Sequence, residues 1–136
     1  MPRRSFLLTP LLILCPIVLI SGAAGEGVYT REQATRGQAI YAEECAKCHG
    51  QNLSGGDDSP ELAGASFMGR WKGKSVGALY ALMSKTMPTD DPGHLSTRQY
   101  SDLTAFILSS NGLTAGAKEL PTDKTALNEI VIEVQK

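Results

Sequence analysis

The chain has 136 residues, enough for one small domain and too few for a large multi-domain enzyme. Its 13 basic and 14 acidic residues give a net charge of −1 at neutral pH. Proteins that bind nucleic acid usually present an excess of basic residues to the phosphates, so nucleic acid is not expected as a partner.

The first 24 residues have the composition of an export signal. Arg3 and Arg4 are the charged residues of this segment, and an apolar run follows over residues 11–20. Small residues at 21–24 then offer a cleavage site for a signal peptidase. We therefore predict a signal peptide over residues 1–24.

After cleavage, residues 25–136 would form a single domain with 11 basic and 14 acidic residues. The apolar run is too short for a convincing transmembrane helix, so no stable membrane span is expected in the mature protein. Retention of the signal segment as an anchor is the alternative, and lipid attachment at Cys15 is a weaker one.

The first helix of the mature chain is predicted over residues 31–44. Thr30 and Gln33 stand at the positions of a capping box, in which two polar side chains cap the first helical turn. Gly37 costs about 1 kcal/mol relative to Ala in a helix interior, which suggests that another helix approaches closely there. Residues at helical spacing form one stripe: Ala34, Gly37, Tyr41 and Cys45.

The middle of the chain is rich in loops. Residues 50–66 are rich in Gly, Ser, Asp and Asn, and a short helical turn is predicted over 67–71. Ser75 is a suitable N-cap for a helix over 76–85, whose inner face carries Val76, Leu79, Tyr80 and Met83. Pro88 disfavours continuation of this helix, and a polar loop follows.

A second capping box, formed by Ser96 and Gln99, predicts a helix that runs to about Ser110 and stops at Asn111-Gly112. Its apolar face carries Tyr100, Leu103, Phe106 and Ile107. Residues 113–136 are predicted to form either a short strand or an extended tail packed on the body, through Leu127, Ile130, Ile132 and Val134.

These elements predict an all-α domain of three to four short helices joined by long loops. Only seven aromatic residues lie in the mature chain, and long loops are uncommon in compact domains unless something organises them. A large apolar cofactor at the centre would supply the core that the side chains lack.

The chemistry-bearing motif is Cys45-Ala46-Lys47-Cys48-His49, a C-x-x-C-H sequence. Two thiols at this spacing can add to the two vinyl groups of a haem, and the adjacent imidazole can then ligate the iron. Attachment of this type takes place outside the cytoplasm, in agreement with the predicted export signal. We therefore expect one covalent haem c, bound through Cys45 and Cys48 with His49 as an axial ligand.

Three other interpretations of the cysteine pair are weaker. A disulfide would close a very short loop and stabilise the fold little. A thioredoxin-like pair would follow a strand within a βαβ unit, whereas this pair ends a predicted helix. A zinc site would need four ligands, and only Cys45, Cys48, His49 and the distant His94 are present.

The second axial position has four candidate ligands: Met68, Met83, Met87 and His94. Met87 is favoured because it ends a helix directly before Pro88, whose fixed backbone can hold an extended loop across a haem face. Met83 falls on an apolar helix face and Met68 in a small-residue turn, where both are expected in the core. His94 is flanked by polar residues and is expected to be a solvated loop residue.

The order of these features resembles a class I c-type cytochrome: a helix, C-x-x-C-H, a Gly-rich loop with Pro60-Glu61-Leu62, Met87-Pro88 and a capped last helix. The chain especially resembles the small haem c domains that occur with periplasmic quinoprotein dehydrogenases. The similarity covers roughly residues 30–112, so that 113–136 is an extension outside the shared pattern.

The resemblance implies a cytochrome c fold with further contacts to the haem. Gly37 and Tyr41 would pack against Tyr100, Leu103 and Phe106 of the last helix. The carbonyl of Pro60 would accept a hydrogen bond from His49, Leu62 would touch the porphyrin, and Trp71 would contact a haem propionate. For Trp71, an ordinary half-buried aromatic residue is an equal alternative.

The expected function is periplasmic electron transfer by a haem with His49 and Met87 as axial ligands, without catalysis by this chain. Its partners would be redox proteins, namely a dehydrogenase donor and an oxidase or cytochrome acceptor. The alternatives are a dedicated haem subunit of a periplasmic quinoprotein dehydrogenase, a gas-binding or catalytic haem if Met87 does not ligate, and a thiol protein without haem.

Overall fold

The computed structural model describes Met1 and residues 27–134, so the predicted signal peptide lies outside the described residues. The described part is helical and has no strand, which confirms the all-α prediction. Its helices are α1 (Arg31–Glu44), α2 (Ala46–His49), α3 (Ala65–Trp71), α4 (Val76–Thr86), α5 (Thr97–Ser110) and α6 (Lys124–Asn128). In this part of the chain, no helix combines the length and apolarity needed to cross a membrane.

The centre of the fold is the contact between α1 and α5. Gly37 is buried there against the backbone carbonyl of Asp102, and an added Cβ would lie 2.9 Å from the Cβ of Phe106. One turn further along α1, the ring of Tyr41 lies 5.2 Å from that of Phe106. The close approach predicted from Gly37 is therefore confirmed, because any side chain at this position would force the helices apart.

The capping box predicted at the start of α1 is only half present. The Thr30 hydroxyl accepts a hydrogen bond from the backbone N–H of Gln33 at 3.1 Å, as expected of an N-cap. The Gln33 side chain does not return to the cap. It is buried, donates to Ser101 Oγ at 3.2 Å and to the Leu120 carbonyl at 3.0 Å, and accepts from the Leu120 N–H at 2.6 Å.

α5 has the full capping box predicted for it, with Ser96 and Gln99 capping each other's backbone N–H groups. Its buried face carries apolar side chains that include Tyr100, Leu103, Ile107 and Leu108. Asp102 is also buried, and Arg36 of α1 donates to both of its oxygens at 2.9 Å. A buried carboxylate with a bidentate guanidinium partner fixes how α1 and α5 are aligned.

The C-terminal segment packs on the body, as one of the two predictions had it, but it contains a short helix that neither prediction included. It forms α6 on α4 and then runs beside Gly73–Val76, where Ser75 and Val131 make an isolated antiparallel bridge. Leu127 and Ile132 are fully buried, whereas Val134 is exposed. With α2 and α6, the described residues contain six helices instead of the three to four expected, because helices of four and five residues leave almost no periodic pattern in a sequence.

Candidate functional site

The two cysteines and His49 lie within one helical turn. α1 ends at Glu44, and α2 begins again at Ala46 after a single intervening residue. The backbone N–H groups of Cys48 and His49 both donate to the Cys45 carbonyl, at 3.1 and 3.0 Å. Positions three residues apart share a helix face, and both cysteines are free thiols, Cys45 half-buried and Cys48 exposed.

His49 is held by its ring nitrogen Nδ1, which lies 2.9 Å from the carbonyl oxygen of Pro60. A carbonyl can only accept, so Nδ1 carries the proton of this hydrogen bond, and Nε2 is left as the nitrogen that can ligate. Within residues 27–134, no hydrogen bond engages Nε2. This is the arrangement in which a histidine ligates a metal through one nitrogen while the protein orients the other.

The Gly-rich loop brings Pro60 to this position by its own hydrogen bonds. The N–H of Gly55 donates to the His49 carbonyl at 2.8 Å, and the N–H of Leu62 donates to the Leu53 carbonyl at 2.9 Å. Gly55 has a φ of +76°, and an added Cβ would lie 2.6 Å from the Ser59 carbonyl oxygen. Glycine is therefore required at position 55, where the loop closes onto His49.

The Tyr41 hydroxyl ties α1 to the end of α2, since it donates to the Gly50 carbonyl at 2.7 Å. Burial, together with the nearby Cys45, raises the pKa of Tyr41 to about 12. Burial also raises the pKa of Cys45 to about 11, helped by Glu44 and Cys48. The Cys45 thiol is therefore protonated at neutral pH, whereas redox-active C-x-x-C pairs depend on a thiol with a lowered pKa.

Leu62 and Trp71 are both half-buried and pack against the core. The Trp71 ring stacks on Phe67 with centroids 6.2 Å apart, and Lys74 Nζ lies 5.2 Å from the centroid of the indole. These contacts describe an ordinary half-buried aromatic residue with an ammonium neighbour. Contact of Leu62 with a porphyrin and of Trp71 with a propionate stay predictions.

Met87 is the C-cap of α4 and has an extended backbone. Its side chain is half-buried, and its carbonyl accepts a hydrogen bond of 2.6 Å from the Tyr100 hydroxyl. Met68 and Met83, by contrast, pack against the hydrophobic core, as the sequence suggested. Of the three sulfur candidates, Met87 is the one at a helix end.

His94 is less free than its sequence context suggests. Its Nδ1 lies 2.9 Å from the Asp91 carbonyl, and its Nε2 lies 3.3 Å from a Glu44 carboxylate oxygen. The contact with Asp91 is a hydrogen bond, and the contact with Glu44 is an ion pair when the imidazole is protonated. The hydrogen bond to Asp91 and the negative charges of Glu44, Asp91 and Asp90 raise the pKa of His94. With both nitrogens engaged, His94 is a poor candidate for an iron ligand.

One residue that organises this region was missed as such from the sequence. Asn111 ends α5, as predicted, but its buried carboxamide also bridges to the loop beyond Pro60. It accepts from the Gly64 N–H at 3.0 Å and donates to the Leu62 and Ile107 carbonyls at 2.9 and 2.8 Å. The sequence signal that could have indicated this role is the asparagine, rather than a glycine, that directly follows a strongly apolar helix.

Residues 27–134 do not form a metal site made of several ionisable side chains. No three His, Cys, Asp or Glu residues come together there in a way that could hold a metal ion. Cys45, Cys48 and His49 instead offer two free thiols and one oriented imidazole nitrogen, a set of groups that fits a haem attached at its edge.

Comparison with known proteins agrees with this geometry. The family model described as "Cytochrome C oxidase, cbb3-type, subunit III" matches residues 32–107. In the crystal structure of the sulfane dehydrogenase SoxCD from Paracoccus pantotrophus, a similar chain has a TM-score of 0.55 and 30% sequence identity. The similarity covers 73% of this chain and 52% of that one, so this chain spans about half the length of its structural relative. No curated protein sequence matches.

Proposed function

Because this chain belongs to the c-type cytochrome family described as cytochrome c oxidase, cbb3-type, subunit III, we propose that it transfers single electrons through one covalently bound haem c. Membership of the family supports a haem cofactor and electron transfer. The covalent attachment, the axial ligands and the partners are the parts that we propose.

The observation that carries the proposal is the contact between His49 Nδ1 and the Pro60 carbonyl. It presents Nε2 as the ligating nitrogen, on the same helical turn as two free thiols. A disulfide would leave this orientation of the imidazole without a purpose. Zinc would need further ligands, and in residues 27–134 no three His, Cys, Asp or Glu residues come together in a way that could hold a metal ion. A haem bound through Cys45, Cys48 and His49 uses all three side chains.

Attachment would proceed by addition of each thiol across one vinyl group. Cys45 and Cys48 would each hold the haem through one thioether bond, an addition of a thiol that consumes neither oxidant nor reductant. Of the two residues that would hold the group, Cys45 is half-buried and Cys48 is exposed. Their thioethers and His49 would fix the position of the group relative to α1 and α2.

Met87 is the proposed second axial ligand. A thioether and an imidazole are both neutral donors, and thioether ligation favours the ferrous state and raises the reduction potential. The bound group supplies reversible one-electron exchange, whereas the chain supplies its attachment, orientation and surroundings. With both axial positions filled by side chains, substrates and gases have no free coordination site.

Electrons would enter and leave where the attached edge approaches the surface, near the exposed Cys48 and Lys47. We expect weak and transient docking of redox partners there. Since haem attachment of this type occurs outside the cytoplasm, we also propose that residues 1–24 direct export to the periplasm.

The ligand assignment is tested by Met87→Ala in the haem-bound protein, with Met83→Ala as the matched control. Met83 has the same side chain but packs against the core. We expect Met87→Ala to lose the weak sulfur-to-iron absorption at the red end of the spectrum, to lower the reduction potential and to bind carbon monoxide when reduced. An unchanged spectrum and potential would exclude Met87 and return attention to Met68, Met83 and His94.

A second candidate function is that of a dedicated haem subunit in a dehydrogenase complex. The structural match to SoxCD, which is named as a sulfane dehydrogenase, favours this alternative. The quinoprotein dehydrogenase suggested by the sequence is one such complex. Co-purification of this protein with a large catalytic subunit would support the alternative, whereas a freely migrating monomer in cell extracts would support the soluble carrier.

A further inference from the structure

The loop that follows Met87 is closed by one side chain from α5. The Tyr100 hydroxyl donates to the Met87 carbonyl at 2.6 Å and accepts from the Gly93 N–H at 3.1 Å. A phenol hydroxyl can donate one hydrogen bond and accept another. The Tyr100 hydroxyl therefore donates at one end of the loop of residues 87–93 and accepts at the other. The direct contact between the two ends, Gly93 N–H to the Met87 carbonyl, is long at 3.5 Å.

Tyr100 is itself rigidly held. Its side chain is 3% exposed, and its ring packs edge-on against Tyr80 at 6.3 Å. It lies in the first turn of α5, next to the capping box of Ser96 and Gln99. Both the ring packing and the helix cap restrict the hydroxyl to one position.

This position is fixed relative to the haem attachment turn. α5 packs tightly on α1 through Gly37, and α1 leads directly into Cys45 and α2. Tyr100 therefore connects the backbone of the proposed methionine ligand to the same helix pair that positions His49. Without the hydroxyl, the Met87 backbone would keep its N–H bond to the Met83 carbonyl at 2.9 Å and only the long contact of its carbonyl with the Gly93 N–H at 3.5 Å.

We propose that Tyr100 is a positioning residue for the second axial ligand: its hydroxyl holds the Met87 backbone where the thioether can stay on the iron. This inference rests on the proposed function, since it assumes that Met87 ligates. Tyr100 acts through the Met87 backbone, which its hydroxyl contacts. It acts by keeping the ligand-bearing loop closed.

The test is Tyr100→Phe in the haem-bound protein, with Tyr80→Phe as the matched control. Tyr80 is equally buried, and its hydroxyl donates to the Thr97 carbonyl at 3.4 Å, away from Met87. Carbon monoxide can bind ferrous haem only while the methionine is off, so its binding rate reports loop opening. We expect Tyr100→Phe to bind carbon monoxide about tenfold faster, the factor that corresponds to ~1.4 kcal/mol, and Tyr80→Phe to bind at the wild-type rate.

The outcomes separate this inference from the proposed function. Wild-type protein without the sulfur-to-iron absorption would overturn the methionine ligation in the proposed function, and the role of Tyr100 with it. Wild-type protein with that absorption, but with Tyr100→Phe as slow as wild type or Tyr80→Phe as fast as Tyr100→Phe, would overturn the role of Tyr100 alone. If Tyr100→Phe does not fold, hydrogen exchange of the backbone amides in the wild-type protein tests the inference instead. The Gly93 N–H must be protected from exchange, and rapid exchange would refute the closure of the loop by Tyr100.

Discussion

Replacing Gly37 by Ala tests whether the contact of α1 with α5 sets the geometry of the fold. The new Cβ would collide with the Asp102 carbonyl and lie 2.9 Å from the Phe106 Cβ. A backbone carbonyl cannot rotate away, so the helices must separate, at an overpacking cost of about 3 kcal/mol. The higher helix propensity of Ala relative to Gly offsets about 1 kcal/mol of this cost. We therefore expect a net loss of about 2 kcal/mol.

The assay is thermal and urea unfolding of the haem-bound protein, followed by helix ellipticity and haem absorption. At about 4–8 °C per kcal/mol for a domain of this size, Tm should fall by roughly 8–16 °C. Gly69→Ala is the control, since nothing lies within 4 Å of a Cβ added at that helical glycine. It should be neutral or slightly stabilising. A Gly37→Ala variant as stable as Gly69→Ala would refute the packing argument.

Two further predictions concern stability. The pKa of His94 is raised in the folded state, chiefly by its hydrogen bond to Asp91. The stabilisation of the fold by protonated His94 is therefore complete below the ordinary histidine pKa of about 6.5. This stabilisation is lost as the pH rises through the raised pKa. Urea unfolding from pH 5 to 9 should show this loss in wild type and not in His94→Gln; parallel curves would contradict it. Leu127→Ala should cost about 2–5 kcal/mol because Leu127 is fully buried, whereas Val134→Ala should change unfolding little; equal effects would show that the C-terminal segment is not part of the core.

The helices that sequence predicted best are those with local signals. Three of these helices begin directly after a capping residue, namely Thr30, Ser75 or Ser96. These starts could be predicted because a capping hydrogen bond joins residues only three positions apart in the sequence. Gly37 also carried long-range information, since a costly glycine inside a helix needs a reason. The Pro60 contact was implied by family resemblance and is present.

What the sequence did not reveal depends on partners far along the chain. The Gln33 amide bonds Leu120, 87 residues away, and the Asn111 amide bonds Leu62, 49 residues away. Each side chain also has a plausible local role, as a capping residue or a helix stop, and that role hides the distant one. A buried polar side chain forms hydrogen bonds with the groups that packing brings next to it. Its partner is therefore visible only in the folded structure.

The central claim is that a haem is joined to Cys45 and Cys48 with His49 beneath the iron. Its most direct test is the absorption spectrum and intact mass of the protein, produced in cells that can attach haem to exported proteins. We expect a coloured protein whose mass exceeds that of the polypeptide by one haem, and we expect this added mass to be lost when both cysteines are replaced by Ala. A colourless protein with the mass of the unmodified chain would contradict it.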